Sequence, residues 1–344
     1  MATNTPCARM PRWILAIIVG VLGFAVGRAT LSAGLDGREP MIPIVDPIRA
    51  SYAASSNAIN TLLLGSSRVY RGLDPAVFDE TLAQADVTSR TFNHSWPDMS
   101  LVEMLRVLES LPADAALERV VIEPSLFSLW VVENPSSVRA RAFHTPQTTL
   151  DMLRLIGCGN YPVGDAIEAG YHTLMAGLSH GVGVGTVRDG LWETDPLPEA
   201  SNNGFRPLDL ETDDGFLERH RKLKRRAKAY KKRVSRISQK QKLPRELAVC
   251  ERELIERVVA VAESRGAQVT ILIPPTVRRV REYAGLRAGL ADLGVSVLAY
   301  DNPTLYPDLY AIKHRFDVEH LNAKGARLWA QMVARDLLAL EREG

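Results

Sequence analysis

Cysteine is scarce in this chain, with three residues in 344. Cys7 precedes an apolar run, which leaves Cys158 and Cys250 as the pair an oxidising compartment could join; spacing alone leaves their pairing open. No Cys/His spacing resembles a zinc site. Gly181-Val-Gly-Val-Gly185 lacks the preceding strand and the closing Gly or Gly-Lys of the nucleotide fingerprints, so it is read as a connection. Acidic residues are missing from Arg219 to Arg245, a stretch that holds 14 Lys and Arg. Since the whole chain carries 42 basic and 40 acidic groups, the remainder is an acidic body of about −12 beside one basic segment.

A long apolar run is also missing. Trp13 to Gly27 is uncharged but only 15 residues long, short of the about 20 that a membrane span needs. Arg28 can snorkel and Ala29 to Leu35 can extend the helix. The expectation is a cytoplasmic N-terminus at 1–12 and a transmembrane anchor or signal at 13–33. A signal peptide would be cut near Ala33, but Leu31-Ser-Ala33 is a poor Ala-x-Ala site, which favours an uncleaved anchor over cleavage. A buried core helix is the third reading. Either of the first two exports everything that follows. The Pro-rich stretch 34–56 reads as a linker.

What the chain does have is an alternation of buried strands and amphipathic helices at 57–125 and again at 244–344. At 46% hydrophobic and 24% charged, its composition is globular. In the first part, Thr61 to Leu73 reads as a buried strand, a turn at Gly65-Ser66-Ser67 and a helix start at Asp74-Pro75. A serine at the carboxyl end of such a strand sits where open α/β sheets bind ligands. Near the other end lies Phe316-Asp317-Val318-Glu319-His320-Leu321-Asn322. An aspartate three residues before a histidine can orient the ring and leave its other nitrogen to take a serine proton. Ser67, His320 and Asp317 are therefore candidate nucleophile, base and orienter. Asp301 is a rival orienter, His94 a rival base, and Gly-Ser-Ser is also ordinary turn chemistry.

The Gly65-Ser66-Ser67 turn and the Asp317-x-x-His320 pair resemble the first and last blocks of the SGNH (GDSL-like) hydrolases. The likeness is to their membrane-anchored bacterial branch, the cell-surface polysaccharide O-acyltransferases and D-alanyl transfer proteins, and spans roughly Asn60 to Ser125 and Leu243 to Leu340. It implies a three-layer α/β/α sandwich with a mostly parallel sheet and a Ser67-His320-Asp317 triad. It also implies an oxyanion hole from the N–H groups of Ser67 and Ser95. Asn93 and Arg68 are candidate substrate contacts, with turn architecture as the other reading of Asn93. Two departures stand out. Asn93-His94-Ser95 replaces the family's Asn-x-Gly turn, and Glu123-Pro124-Ser125 replaces its Gly-x-Asn-Asp block, so the asparagine oxyanion donor has no counterpart.

The function this implies is extracytoplasmic O-acetylation of a cell-surface polysaccharide, at the bacterial inner membrane, beside a multi-spanning membrane acyltransferase. Neither metal nor organic cofactor is called for. A carbohydrate esterase, or a non-catalytic assembly or polymer-binding protein on the same scaffold, are the alternatives. Residues 126–243 read as an insertion ending in a basic amphipathic helix at 216–243. Its thin apolar stripe is Phe216, Leu223, Ala227, Tyr230, Val234 and Ile237. That helix is either a solvated element packed by its stripe or a contact for anionic lipid or acidic polysaccharide; nucleic acid is not an expected partner.

Overall fold

The computed structural model describes residues 42, 44–112, 115–125, 137–159, 161–182, 203–239 and 245–343. The expected anchor at 13–33 and the glycines from 183 to 185 lie outside the described residues. Among the described residues no helix is long and apolar enough to cross a membrane.

Five parallel strands form one sheet: β1 (Thr61–Leu64), β2 (Thr91–Asn93), β3 (Arg119–Ile122), β4 (Gln268–Ile273) and β5 (Ser296–Ala299), in the spatial order β2-β1-β3-β4-β5. The central strands are apolar on both faces, as a sheet covered twice requires. Leu62, Leu64, Val120, Ile122, Val269 and Ile271 enter one buried cluster. Leu63, Val121, Leu272 and Leu298 enter the other. On the first face pack α1 (Val45–Ser55), α4 (Leu101–Ser110), α10 (Val249–Glu263) and α11 (Val280–Gly289). On the second pack α2 (Ser67–Gly72), α3 (Pro75–Ala83) and the closing α12 (Ala323–Glu343), whose Trp329 is fully buried.

Caps mark the helix starts. Asp74 accepts the Ala76 N–H with Pro75 at the first position of α3, and Ser100 with Glu103 forms a reciprocal capping box on α4. The stretch expected as a linker contains α1. Val45, Ile48 and Tyr52, at steps of three and four, bury one side of that helix in the core, a periodicity obscured by the prolines around it.

The inserted region contributes α5 (Val138–Phe143), α6 (Pro146–Cys158), α7 (Val163–Val182), α8 (Asp214–Arg225) and α9 (Ala227–Gln239). Cys158 and Cys250 are joined as a disulfide between α6 and α10. Those two helices also share an ion pair between the partly exposed Arg257 and the buried Asp151, Nη1 to Oδ1 at 2.7 Å. The basic segment is two helices rather than one, because α8 ends at Arg226, whose backbone (φ −104, ψ 24) leaves helical geometry. Leu223 and Tyr230 are buried against the second core and Val234 and Ile237 pack on it, so the apolar stripe seats the basic helices on the body.

Candidate active site

The turn after β1 is built by close approach. A Cβ on Gly65 would lie 2.4 Å from Val69 Cγ2 and 3.0 Å from Glu123 Cβ, so only glycine lets the chain turn tightly between α2 and the end of β3. Ser66 caps α2, and Ser67 is its first residue. Ser67 Oγ stands 2.9 Å from His320 Nε2. His320 Nδ1 is 3.0 Å from each oxygen of Asp317. Asp317 Oδ1 also accepts the backbone N–H groups of Glu319 at 2.7 Å and His320 at 2.8 Å. Burial alone would raise the Asp317 carboxyl, but the His320 bond and charge, with these two N–H groups, hold it well below the usual carboxylate range. It stays ionised at neutral pH and fixes the ring with Nε2 facing the serine.

The loop carrying this pair is clamped. Phe316 N–H donates to the His320 carbonyl, and Arg315 bridges in antiparallel fashion to Leu321. The buried Arg315 guanidinium donates to the carbonyls of Pro275, at the end of β4, and Val318. Asn322 accepts the Gly325 N–H and so caps α12.

Behind Ser67, Glu123 braces the turn and does not replace the missing oxyanion donor, because its carboxylate only accepts hydrogen bonds. Its fully buried carboxylate accepts Ser66 N–H at 2.9 Å, Ser66 Oγ–H at 2.7 Å, Arg68 Nη1 at 2.9 Å and Tyr283 Oη–H at 2.9 Å. Burial would lower the Arg68 guanidinium and does raise the Tyr283 phenol; beside Tyr283 and Glu123 the net effect on Arg68 is upward. The signal for Glu123 was present in the sequence: an acid ending the buried run Val120-Val121-Ile122 points to the carboxyl edge of the sheet.

A cavity of about 310 Å³ surrounds Ser67 and His320. Its walls come from the segments that follow β1, β2, β3 and β4, among them Arg68, Asp98, Ser125 and Arg279, with Arg71 and Phe216 beside them. Asp98 and Arg279 both have positive φ (54° each), a conformation costing about 1 kcal/mol or more for residues other than glycine. Arg71 is ion-paired with Glu211, which also holds Arg206.

The remaining candidates are placed as follows. Arg68 borders the cavity, but its charge is turned to Glu123. Asn93 is fully buried and donates to the carbonyls of Val69 and Leu73, bracing α2 from behind. Ser95 is also buried, with its hydroxyl on the Leu63 carbonyl, and it is not among the residues lining the cavity. His94 sits among the rings of Tyr52, Phe92 and Trp96, where burial pushes it down to about 4. Asp301 pairs with Arg287 at 3.1 Å and leaves His320 to Asp317. The Ser67 N–H has no acceptor among the described residues and is free to face a developing oxyanion. Among the described residues, no three His, Cys, Asp or Glu side chains converge as a metal site.

No family model matches this chain, and no curated protein matches it in sequence.

Proposed function

We propose that the chain is a serine acyltransferase of the SGNH type, on a three-layer α/β/α sandwich, acting outside the cytoplasm to O-acetylate a cell-surface polysaccharide. The observation that carries this reading is the unbroken line from Ser67 Oγ through the His320 ring to Asp317, at 2.9 and 3.0 Å, on the carboxyl edge of a parallel sheet. His320 Nε2 takes the Ser67 proton as Oγ attacks the acyl carbonyl carbon of the donor. The bond from that carbon to the leaving group breaks, and the imidazolium returns its proton to the departing atom. A sugar hydroxyl then gives its proton to His320 as its oxygen attacks the acyl-serine carbonyl carbon; the bond from that carbon to Ser67 Oγ breaks, the imidazolium returns the proton to Oγ, and the new ester leaves. Asp317 stabilises the imidazolium in both halves. Hydrolysis would use the same residues with water as acceptor. An N-terminal anchor beside a multi-spanning membrane acyltransferase that supplies the acyl group belongs to the same reading.

The test is to incubate the full chain with an activated acetyl ester and measure intact mass. Wild type should gain one acetyl group or turn the ester over; Ser67→Ala and His320→Ala should do neither. A folded wild type that shows neither adduct nor turnover, with polymer acylation in cells unchanged by Ser67→Ala, would leave a non-catalytic scaffold.

A further inference from the structure

Two cavities meet at His320. The one around Ser67 adjoins a larger one of about 650 Å³ along α8 and α9, and Arg219, Glu319 and His320 line both. Arg219, Lys222, Arg226, Arg233 and Arg278 line the larger cavity, against two carboxylates, Asp317 and Glu319. Both carboxylates are engaged. Asp317 holds His320, and Arg278 Nε lies 3.3 Å from Glu319 Oε1. Arg219, Lys222 and Arg226 form no ion pair among the described residues, whereas Arg221 and Arg225 nearby on α8 both pair with Glu218. The trough thus keeps its unpaired cations while charge elsewhere on the same helix is balanced.

The wall that carries these cations is fixed. Leu223 and Tyr230 are buried beneath it. His220 Nδ1 donates to the Phe316 carbonyl at 2.7 Å and its ring stacks on Phe316 at 4.8 Å, tying α8 to the loop that bears Asp317 and His320. Arg233 Nε donates to the Val277 carbonyl beyond β4. Clustered positive charge in a concave site focuses its field and concentrates anions there. A bilayer surface is flat and cannot enter a cleft that ends at the catalytic histidine; a polymer chain can.

We infer that this trough is the acceptor subsite and that the acceptor is an acidic polysaccharide. Carboxylate groups of the glycan lie on Arg219, Lys222 and Arg226 while a hydroxyl of the same chain reaches the acyl group on Ser67. The inference rests on the acyl-transfer reading above and adds the substrate class to it.

Binding is measured on the full chain in detergent, in a Ser67→Ala background so that no turnover intervenes. The probe is fluorescent polygalacturonate, with neutral dextran and phosphatidylglycerol-containing vesicles as comparators. Polygalacturonate should bind, more weakly as salt is raised, and dextran should not. Arg219→Gln/Lys222→Gln/Arg226→Gln should weaken binding about tenfold or more, as expected when three exposed charge contacts are lost together. Lys224→Gln/Lys228→Gln/Lys231→Gln removes the same charge outside the trough and should change binding less than about twofold. Arg219→Lys/Arg226→Lys should retain it, showing that the loss is one of charge rather than of fold. Equal loss in both triple variants, binding to dextran as tight as to polygalacturonate, or capture of vesicles with polygalacturonate ignored would each overturn the inference. The acetyl adduct on native Ser67 is scored separately. An adduct without selectivity for the acidic polymer sinks only the acceptor class, and selectivity without an adduct sinks the transferase.

Discussion

Glu123 Oε2 receives both the backbone N–H and the hydroxyl of Ser66, at 2.9 and 2.7 Å, so the residue preceding the candidate nucleophile is fastened to the end of the neighbouring strand. The other oxygen faces Arg68 at 2.9 Å with both side chains buried. Removing one partner of a buried ion pair strands the other charge, at a cost of about 3–5 kcal/mol. Glu123→Gln should therefore lower unfolding stability in urea by about 3 kcal/mol or more and slow formation of the acetyl adduct. Glu123→Gln/Arg68→Met should recover part of the stability, because no charge is left unpaired. A loss in the single variant no larger than that of a surface substitution would mean that the pair is solvated.

Asp317 sets two expectations. Asp317→Asn keeps the shape but offers His320 the wrong hydrogen-bond partner, so acylation should fall by about 10³–10⁴-fold. The same substitution tests the low carboxyl pKa. An aspartate held below its unfolded value stabilises the folded state at every pH above that unfolded value, about 3.9, and the contribution is lost as pH falls through the folded pKa. The stability gap between wild type and Asp317→Asn should hence close as pH falls below about 4. A gap that closes between about pH 6 and 7 would assign the titration to another group.

Parts of this architecture were legible in the chain because they follow local rules. Gln268–Ile273 reads as a buried strand from its apolar run alone and is one; Asp74-Pro75 reads as a helix start and is one. The pairing of Ser67 with His320 was legible because Asp317 and His320 fall within one turn of chain, although a sequence separation of 253 between serine and histidine hides the contact itself. Glu123 was not legible as a strut, since its partners Ser66, Arg68 and Tyr283 lie 55 to 160 residues away and meet it only when β1, β3 and α11 are assembled. Nor was the direction of the basic helices: the apolar stripe fixes which side is buried, while the neighbour that the opposite side overlooks is a property of the fold.

The Cys158–Cys250 bridge closes a separation of 92 residues between α6 and α10. Constraining a loop of that length in the unfolded chain is worth about 4.6 kcal/mol in the chain-entropy model. Cys158→Ser/Cys250→Ser should lower stability by about 2–4 kcal/mol. The same two helices stay in register through Asp151, which receives Arg257 from α10 as well as Arg106 from α4, so the acetyl adduct should still form. Reductant should shift the urea midpoint of wild type to that of the double variant and leave the variant unmoved. Identical midpoints for reduced and oxidised wild type would show that the bridge does not form.

His94 gives the chain an acid-sensitive core. Buried beside Tyr52, Phe92 and Trp96, and further disfavoured as a cation by Arg49, it is pushed from 6.5 down to about 4. Its folded pKa lies below its unfolded one, so between these values the unfolded chain binds the extra proton and stability rises with pH. Lowering the pH from about 6.5 to 4 should thus remove about 3 kcal/mol, at about 1.4 kcal/mol for each pH unit. His94→Leu fills the same apolar site without a titrating group. Urea midpoints measured across that range should fall steeply for wild type and more shallowly for the variant, with the two curves separating below about pH 6.5. Parallel curves would mean that the imidazole finds water or a counter-charge in the folded state, and the core around α1 and β2 would then be wetter than its packing indicates.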